Sequence, residues 1–273
     1  MKINANNYAE VTEILKEISS QASKKINEIY YSDDIKEFRK KDNSPVTVAD
    51  IESNRIIIDK LSKNFRNIKL ISEESKERSL QGAEEFFLID PLDGTKEFIK
   101  KNGEFTVNIA LIQKSKATLG IVELPVSYTQ YYSDGNKSYK KVKNSEKIIT
   151  TENLTDYVIT ISRSHQDDKT TEFIKNLKKN TDKRVNTIEV GSSLKFCLIA
   201  EGLANFYIRT GHTMEWDTAA GNAILNTANA SILDTNLNKL QYGKDNFKNQ
   251  ALVAFTKDLE ANIIKKCLSD THI

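Results

Sequence analysis

Cysteine, proline and glycine are all scarce in this chain of 273 residues, which contains 2 Cys, 3 Pro and 10 Gly. So few prolines and glycines exclude a fibrous repeat and argue against long structureless linkers. Cys197 and Cys267 stand far apart on apolar stretches, without the paired spacing of a zinc site. We therefore expect both to be buried, reduced thiols rather than a disulfide or a nucleophile.

An excess of either charge is also missing, because 40 Lys and Arg face 38 Asp and Glu and leave a net charge of +2. That balance argues against a strong attraction to nucleic acid or to an anionic membrane. No apolar run reaches the roughly 18 residues that a membrane-spanning helix needs. The first twenty residues lack the apolar core of a secretory signal. We expect a cytoplasmic protein and leave peripheral contact with the inner membrane open.

Helical and β-prone patterns alternate along the chain, which predicts a layered α/β architecture. Apolar residues at helical spacing indicate two amphipathic helices in the first 65 residues, through Val11 and Leu15 and through Ile51 and Leu61. The β-prone runs that follow cover 68–72, 85–90, 105–113, 117–124 and 130–133. The second half adds strands near 157–162, 184–190, 204–209 and 251–255, and helices near 173–177, 192–201, 217–228 and at the C-terminus.

Turn and loop signals divide this pattern. Asp134 and Gly135 predict a hairpin turn. The segment 145–155 is the least patterned, so we place a boundary there between two lobes, 1–148 and 149–273. The lysine-rich stretch around Lys140 and Lys143 is typical of a solvated face.

Carboxylates follow an apolar strand in the segment FFLIDPLDGTKEF, residues 86–98. The strand ends at Asp90, Pro91 fixes the backbone, and Asp93 follows. This spacing can direct two carboxylates and a carbonyl to one point beyond the carboxyl end of a strand, where α/β sheets place ligands. Such an all-oxygen set suits Mg²⁺ or Mn²⁺ better than zinc or copper. The N–H groups of Gly94 and Thr95 would add an anion site, so the pattern suggests phosphate chemistry.

Further acidic residues occur near other predicted element ends. Glu73 follows the strand at 68–72, and Asp217 precedes a helix whose small alanines would allow close packing. Each has a structural alternative, because glutamates in loops are usually solvated and aspartates often cap helices or make turns. Asp50 forms a capping-box pattern with Thr47, and spacing alone favours that role.

The strings SEE, DPLDGT and WDTAAG resemble, in this order, the motifs of the lithium-sensitive, Mg²⁺-dependent phosphomonoesterases of the inositol monophosphatase superfamily. The resemblance spans almost the whole chain. The segments at 101–111, 161–165 and 191–209 are similar to the 3'(2'),5'-bisphosphate nucleotidase branch, in its bacterial CysQ type. The resemblance implies an α-β-α-β-α sugar-phosphatase-like fold with two lobes. It also implies removal of the 3'-phosphate from adenosine 3',5'-bisphosphate, a by-product of sulfate activation, to give AMP.

The resemblance further implies a role for each matching residue. It makes Glu73, Asp90, Asp93, Asp217 and the Leu92 carbonyl the ligands of two or three Mg²⁺ ions, with Mn²⁺ possible. Asp50, Glu73 and Thr95 would be catalytic, with Asp50 and Thr95 orienting or deprotonating the attacking water. The implied substrate-binding residues are Leu92, Asp93, Gly94, Thr95, Ser164, His165, Ser192, Lys195, Arg209 and Asp217.

The remaining expectations concern two histidines, the type of reaction and the alternative functions. His212 and His272 belong to no ligand motif, although His212 stands where related sequences often have proline. The expected chemistry is in-line hydrolysis assisted by metal ions, without a covalent nucleophile. The alternatives are an inositol monophosphatase and a non-catalytic nucleotide sensor.

Overall fold

The computed structural model describes residues 2–32, 37–39, 45–75, 78–152, 154–164, 167–257 and 261–273. After a 3-10 turn at Ala5–Asn7, the helices are α1 (Tyr8–Tyr30), α2 (Val48–Asn64), α3 (Thr95–Ile99), α4 (Asp168–Lys179), α5 (Leu194–Ala200), α6 (Glu215–Thr227) and α7 (Ala261–Asp270). The strands are β1 (Glu37–Arg39), β2 (Pro45–Thr47), β3 (Lys69–Ser72), β4 (Glu85–Asp93), β5 (Thr106–Gln113), β6 (Lys116–Leu124), β7 (Thr129–Ser133), β8 (Ser138–Val142), β9 (Ser145–Ile149), β10 (Tyr157–Ser162), β11 (Val185–Val190), β12 (Phe206–Arg209), β13 (Thr213–Met214), β14 (Ala230–Asp234), β15 (Lys248–Asn249) and β16 (Leu252–Thr256).

Two larger sheets organise the chain. The first has the order β3-β4-β5-β6-β7-β8-β9; β3 is parallel to β4, and the remaining neighbours are antiparallel. The second has the order β11-β10-β12-β16-β14. In it β10 runs parallel to β11 and β12, whereas β16 is antiparallel to both of its neighbours. The carboxyl ends of β4, β10 and β11 carry the segments in which the sequence predicts ligand-binding residues.

The helices cover these sheets in three layers. One core lies between α1, α2 and the first sheet. A second core packs α5 and α6 between the two sheets, and a third packs α4 and α7 on the outer face of the second sheet. The order is therefore α-β-α-β-α, and the layered fold expected from the sequence is confirmed.

The middle layer depends on small residues at one contact. Ala219 and Ala220 of α6 are buried against the first sheet, as their size predicts. A Cβ atom built on Gly120 of β6 would lie 2.5 Å from the carbonyl oxygen of Ala220. Any side chain at position 120 would push α6 away, so this glycine permits the close approach of helix and sheet.

Most predicted elements are present, with boundaries within a few residues, but three predictions are wrong. Ile51 is 47% exposed, because the buried stripe of α2 runs instead through Ala49, Ser53, Ile57 and Leu61.

The segment predicted to be unpatterned contains the edge strand β9, whose exposed side chains leave no hydrophobic alternation to detect. Lys140 is not simply solvated, because it pairs with the nearly buried Glu201 at 2.7 Å. The first sheet ends at Ile149 and the second begins at Tyr157, and we propose that the lobe boundary lies in this interval.

Both cysteines are buried and free, as expected. None of the helices in the described part of the chain has the length and apolar character to cross a bilayer.

A buried acid lies between α1 and the first sheet, away from the predicted site. Glu123 of β6 is 3% exposed. Its Oε2 accepts hydrogen bonds from Ser19 Oγ at 2.6 Å and from Gln130 Nε2 at 2.8 Å. Burial raises the pKa of Glu123, although these hydrogen bonds oppose the change. The protein therefore holds a carboxylate where a neutral group would be favoured.

We expect Glu123→Gln to raise the free energy of unfolding at pH 8 by on the order of 1 kcal/mol. A group whose pKa is raised on folding stabilises the protein below its unfolded pKa and loses that contribution as the pH rises through its folded pKa. The gain should therefore shrink between pH 8 and pH 4.5 in urea unfolding. Glu172→Gln, at an exposed position of α4, controls for the lost charge. A gain that is the same at both pH values would contradict this account.

Candidate active site

A cleft of about 550 Å³ lies where the two sheets and α6 meet. Acidic and basic side chains both line it. The lining includes Glu73, Asp93, Gly94, Thr95, Ser192, Lys195, Arg209, His212 and Asp217.

Strand β4 delivers two of the predicted carboxylates through an irregularity in its pairing. Asp90 pairs with Asn108 and Asp93 with Thr106, so three steps along β4 match two along β5. Residues three apart on a regular strand point to opposite faces. The extra residue of this bulge removes that alternation and lets both aspartates face the same region.

Asp50 and Thr95 are brought together from α2 and α3. Asp50 Oδ2 accepts hydrogen bonds from the N–H and the hydroxyl of Thr47, at 2.7 and 2.6 Å. Its other oxygen, Oδ1, accepts the hydroxyl of Thr95 at 3.0 Å. The capping role and the pairing with Thr95 are therefore not alternatives, because each uses a different oxygen.

Electrostatic repulsion is strong among the site carboxylates. Burial, and then the charges of Glu73 and Asp93, raise the pKa of Asp90 well above its usual range. Burial, followed by Asp93 and Glu73, does the same to the pKa of Asp217. These carboxylates, drawn from four stretches of the chain together with Asp50, lie close enough to disfavour each other's charge.

The repulsion among these carboxylates is one reason that the residues suit a divalent cation. Grouped carboxylate oxygens are the ligands that Mg²⁺ and Mn²⁺ prefer, and a cation would offset their charge. Within the described residues, no group of three or more His, Cys, Asp or Glu side chains is already arranged as a ligand shell. Asp217 Oδ2, for example, accepts the N–H of Met214 at 2.8 Å. The site fits a metal by donor chemistry and charge, with side-chain adjustment required.

Ser193 and Asn108 connect Asp93 of β4 with Asp217 of α6, and neither was predicted from the sequence. Ser193 Oγ lies 2.7 Å from Asp93 Oδ2 and 2.9 Å from the carbonyl oxygen of Asp217. It also accepts a hydrogen bond from Asn108 Nδ2 at 2.9 Å. A polar Asn108 inside the apolar strand TVNIALIQ was the available signal, since buried amides need partners.

The basic wall of the cleft comes from the second lobe. Lys195 is 6% exposed, and its Nζ donates to the Ser192 carbonyl at 2.5 Å. Burial lowers the pKa of Lys195, whereas the charge of Asp93 opposes this. Arg209 lines the same wall, and its charge also lowers the pKa of Lys195. The Oγ of Ser192 is buried and has no hydrogen-bond partner among the described residues.

Gly94, Ser164 and His165 were also predicted to bind the substrate. Gly94 has a φ of +93°, and a Cβ there would lie 3.3 Å from Ser192 Cβ and from the Glu104 carbonyl oxygen, so this position requires glycine. Ser164 donates a hydrogen bond to the buried Glu97 and is not among the residues that line the cleft. His165 lies outside the described residues.

His212 is exposed in the loop between β12 and β13, and it lines the cleft although no ligand motif includes it. The loop that it occupies leads to Asp217 and is held at β13. Asn249 Nδ2 donates to the Met214 carbonyl at 3.2 Å. His272 is exposed near the C-terminus.

The model of the inositol monophosphatase family matches residues 7–270 of the chain. The chain belongs to this family. Enzymes of the inositol monophosphatase family are generally metal-dependent, in agreement with the acidic cleft.

Within the inositol monophosphatase family, the chain is similar to 3'(2'),5'-bisphosphate nucleotidases. The chain is 45% identical over 206 residues to the 3'(2'),5'-bisphosphate nucleotidase CysQ of Salmonella typhimurium, covering 75% of this chain and 82% of the relative. It is 43% identical over 205 residues to CysQ of Escherichia coli K12, covering 74% and 81%.

The structures agree with this placement. The crystal structure of CysQ from Bacteroides thetaiotaomicron aligns with a TM-score of 0.80 and 34% identity, over 90% of this chain and 98% of that one. The inositol monophosphatase from Anabaena aligns with a TM-score of 0.77 and 19% identity, over 96% and 97%, which shows a shared fold.

We expect Ser193→Ala to lower the free energy of unfolding by about 1–3 kcal/mol, because buried Asn108 loses a hydrogen-bond partner. Urea unfolding at pH 7 measures this. The neighbouring Ser192→Ala is the matched control, because its Oγ has no partner to lose in the described structure. Equal losses in the two variants would show that the bridge through Ser193 is energetically unimportant.

Proposed function

We propose that this protein is a Mg²⁺-dependent 3'(2'),5'-bisphosphate nucleotidase. It hydrolyses the 3'-phosphate of adenosine 3',5'-bisphosphate to give AMP and phosphate, a reaction linked to sulfate assimilation. The observation that carries the proposal is one cleft lined both by the carboxylates Glu73, Asp93 and Asp217 and by the basic residues Lys195 and Arg209. Such a site matches a substrate with two phosphates, one to be cleaved beside the carboxylates and one to be recognised by the basic residues.

The residues that would hold the metal are the side chains of Glu73, Asp90, Asp93 and Asp217 and the carbonyl of Leu92. The raised pKa values of Asp90, Asp93 and Asp217 and the oxygen chemistry of the whole set support this assignment. When bound, Mg²⁺ supplies activation of a water molecule and stabilisation of charge on the leaving oxygen. Two ions, or three, would offset the charge of the carboxylates, and Mn²⁺ is an alternative.

The chain's own groups then move the proton and orient the water. The Thr95 hydroxyl donates to Asp50 Oδ1, so the lone pairs of Thr95 Oγ1 are available to accept a hydrogen bond from the attacking water. Asp50 can take the proton through Thr95, and the hydrogen bonds from Thr47 keep Asp50 in place. Glu73 also lines the cleft, its charge acts on Asp50, and it would share in activating the water.

The second lobe selects the nucleotide. Lys195 and Arg209 bind the second phosphate, because they bring two positive charges into the cleft that the carboxylates also line. Ser192 would donate its unpartnered hydroxyl to the substrate, next to Gly94. For Ser164 and His165, the nucleotide contacts that the resemblance implies stay predictions.

The comparisons favour this activity over its alternatives. The relatives that are 43–45% identical are nucleotidases, whereas the similarity to solved inositol monophosphatases is near 20% identity and concerns the fold. A non-catalytic sensor has no use for the water-orienting pair of Thr95 and Asp50. The cytoplasmic location and any membrane contact stay predictions.

The decisive assay is phosphate release from adenosine 3',5'-bisphosphate and from inositol 1-phosphate, with Mg²⁺, with and without Li⁺. We expect preference for the nucleotide, inhibition by Li⁺, and loss of about 100-fold or more of the activity in Asp93→Asn, because a metal ligand is removed. Asp59→Asn, on the exposed face of α2, is the control. Preference for the inositol ester, or full activity of Asp93→Asn, would refute the proposal.

A second prediction concerns the basic wall. Lys195→Met should raise the KM for adenosine 3',5'-bisphosphate about tenfold or more, while the KM for adenosine 3'-monophosphate changes little, because only the former has a second phosphate to bind. Steady-state kinetics on both nucleotides measure this. Lys178→Met, at an exposed position of α4, is the control. An equal loss on both substrates would place Lys195 at the cleaved phosphate instead.

A further inference from the structure

The three segments that resemble the nucleotidase branch meet at one carboxylate. Glu104 lies in the loop before β5, within 101–111. Arg163 follows β10 and Gly191 follows β11, so both stand at carboxyl ends of neighbouring strands in the second sheet. Segments far apart in the chain thus meet at Glu104, in addition to the contacts of Ser193 with Asp93 and Asn108.

The geometry at this point is that of a bidentate ion pair with an added backbone donor. Arg163 Nε donates to Glu104 Oε2 at 2.8 Å, and Arg163 Nη2 donates to Glu104 Oε1 at 2.8 Å. The N–H of Gly191 also donates to Glu104 Oε2, at 2.8 Å. Arg163 Nη2 further donates to the carbonyl of Glu189 at 2.7 Å. A forked guanidinium and a backbone amide therefore fix the carboxylate in position as well as in charge.

Burial partly opposes the charged state of Glu104, but the donors outweigh it. Burial raises the pKa of Glu104, whereas the hydrogen bonds from Arg163 and Gly191 lower it, and the net change is downward. The carboxylate is therefore ionised at neutral pH and holds its partners as an anion.

Close packing supports the same contact. A Cβ built on Gly191 would lie 2.6 Å from the Glu104 carbonyl oxygen and 2.7 Å from Glu97 Cγ. The backbone of the second lobe therefore rests directly on the first. Glu97, buried on α3, adds a hydrogen bond from Ser164, the residue after Arg163.

The groups held in this way flank the cleft on both sides. Gly191 is followed by Ser192 and leads into α5 with Lys195. On the other side, Glu104 lies two residues before Thr106, whose β5 position pairs with Asp93. The contact at Glu104 thus sets the distance between the nucleotide wall and the carboxylates.

We propose that Glu104 is a positioning residue that determines selectivity for the nucleotide. By holding Arg163 and Gly191, it places Ser164, Ser192 and Lys195 at the spacing that a bisphosphate nucleotide requires. This inference rests on the proposed function. Arg163, engaged by Glu104, serves the lobe contact and leaves the second phosphate to Lys195 and Arg209.

The test compares Glu104→Gln with wild type on two substrates. Glutamine keeps the size and one acceptor but loses the charge that holds the guanidinium. We expect the KM for adenosine 3',5'-bisphosphate to rise about tenfold or more with kcat within a few-fold. Hydrolysis of p-nitrophenyl phosphate, which has no nucleoside to position, should change less than about twofold. The dissociation constant of AMP, measured by calorimetry, should rise in parallel with KM.

A second variant and a control separate this role from a loss of folding. Arg163→Lys removes the forked geometry and keeps the charge, so it should show the same pattern at a smaller size. Glu52→Gln breaks an exposed Glu–Arg pair on α2 and should change neither constant.

Unchanged KM and AMP affinity in Glu104→Gln would overturn the inference, as would equal losses on both substrates. Wild-type protein that does not hydrolyse the nucleotide would refute the proposed function instead.

Discussion

Mutual repulsion of carboxylates is the constraint on which the rest of the structure depends. Asp90 is buried, and Glu73, Asp93 and Asp217 approach it from three elements, although each raises the cost of ionising the others. Folding alone would favour separating these groups. The hydrogen bonds to Asp93 from Ser193 and Asn108, and to Asp217 from the Met214 N–H, offset part of that cost. The rest of that cost is of the kind that a bound cation would offset.

Much of the fold and of the acidic site could be predicted, because both depend on patterns among residues that are close together in the sequence. The apolar run before Asp90 and the short polar string after it identify a strand and the loop at its carboxyl end without any distant contact. The layered order follows in the same way from alternating periodicities. Asp50 was a harder case, because its spacing from Thr47 indicates only a capping box. The structure shows that one of its oxygens accepts hydrogen bonds from Thr47 and the other accepts the Thr95 hydroxyl.

What could not be predicted depends on contacts between distant segments. Ser193 is one of two adjacent serines, and nothing local tells which of them bridges Asp93 and Asp217. The bulge between Asp90 and Asp93 depends on pairing with β5. Strand β9 escaped detection because an edge strand with exposed side chains lacks hydrophobic alternation. Ile51 was wrongly predicted to be buried, because apolar residues are also common on solvent-exposed faces and their presence alone does not indicate burial.

The shared middle layer has a consequence for how the molecule comes apart. Helix α6 packs on the first sheet through Ala220 at Gly120, and the same core includes side chains of the second sheet. Neither sheet can lose its cover on that side without exposing apolar surface of the other. The two lobes are therefore bound into one cooperative unit, and denaturant should remove both in a single transition, with the cleft lost at the same midpoint as the strands that frame it.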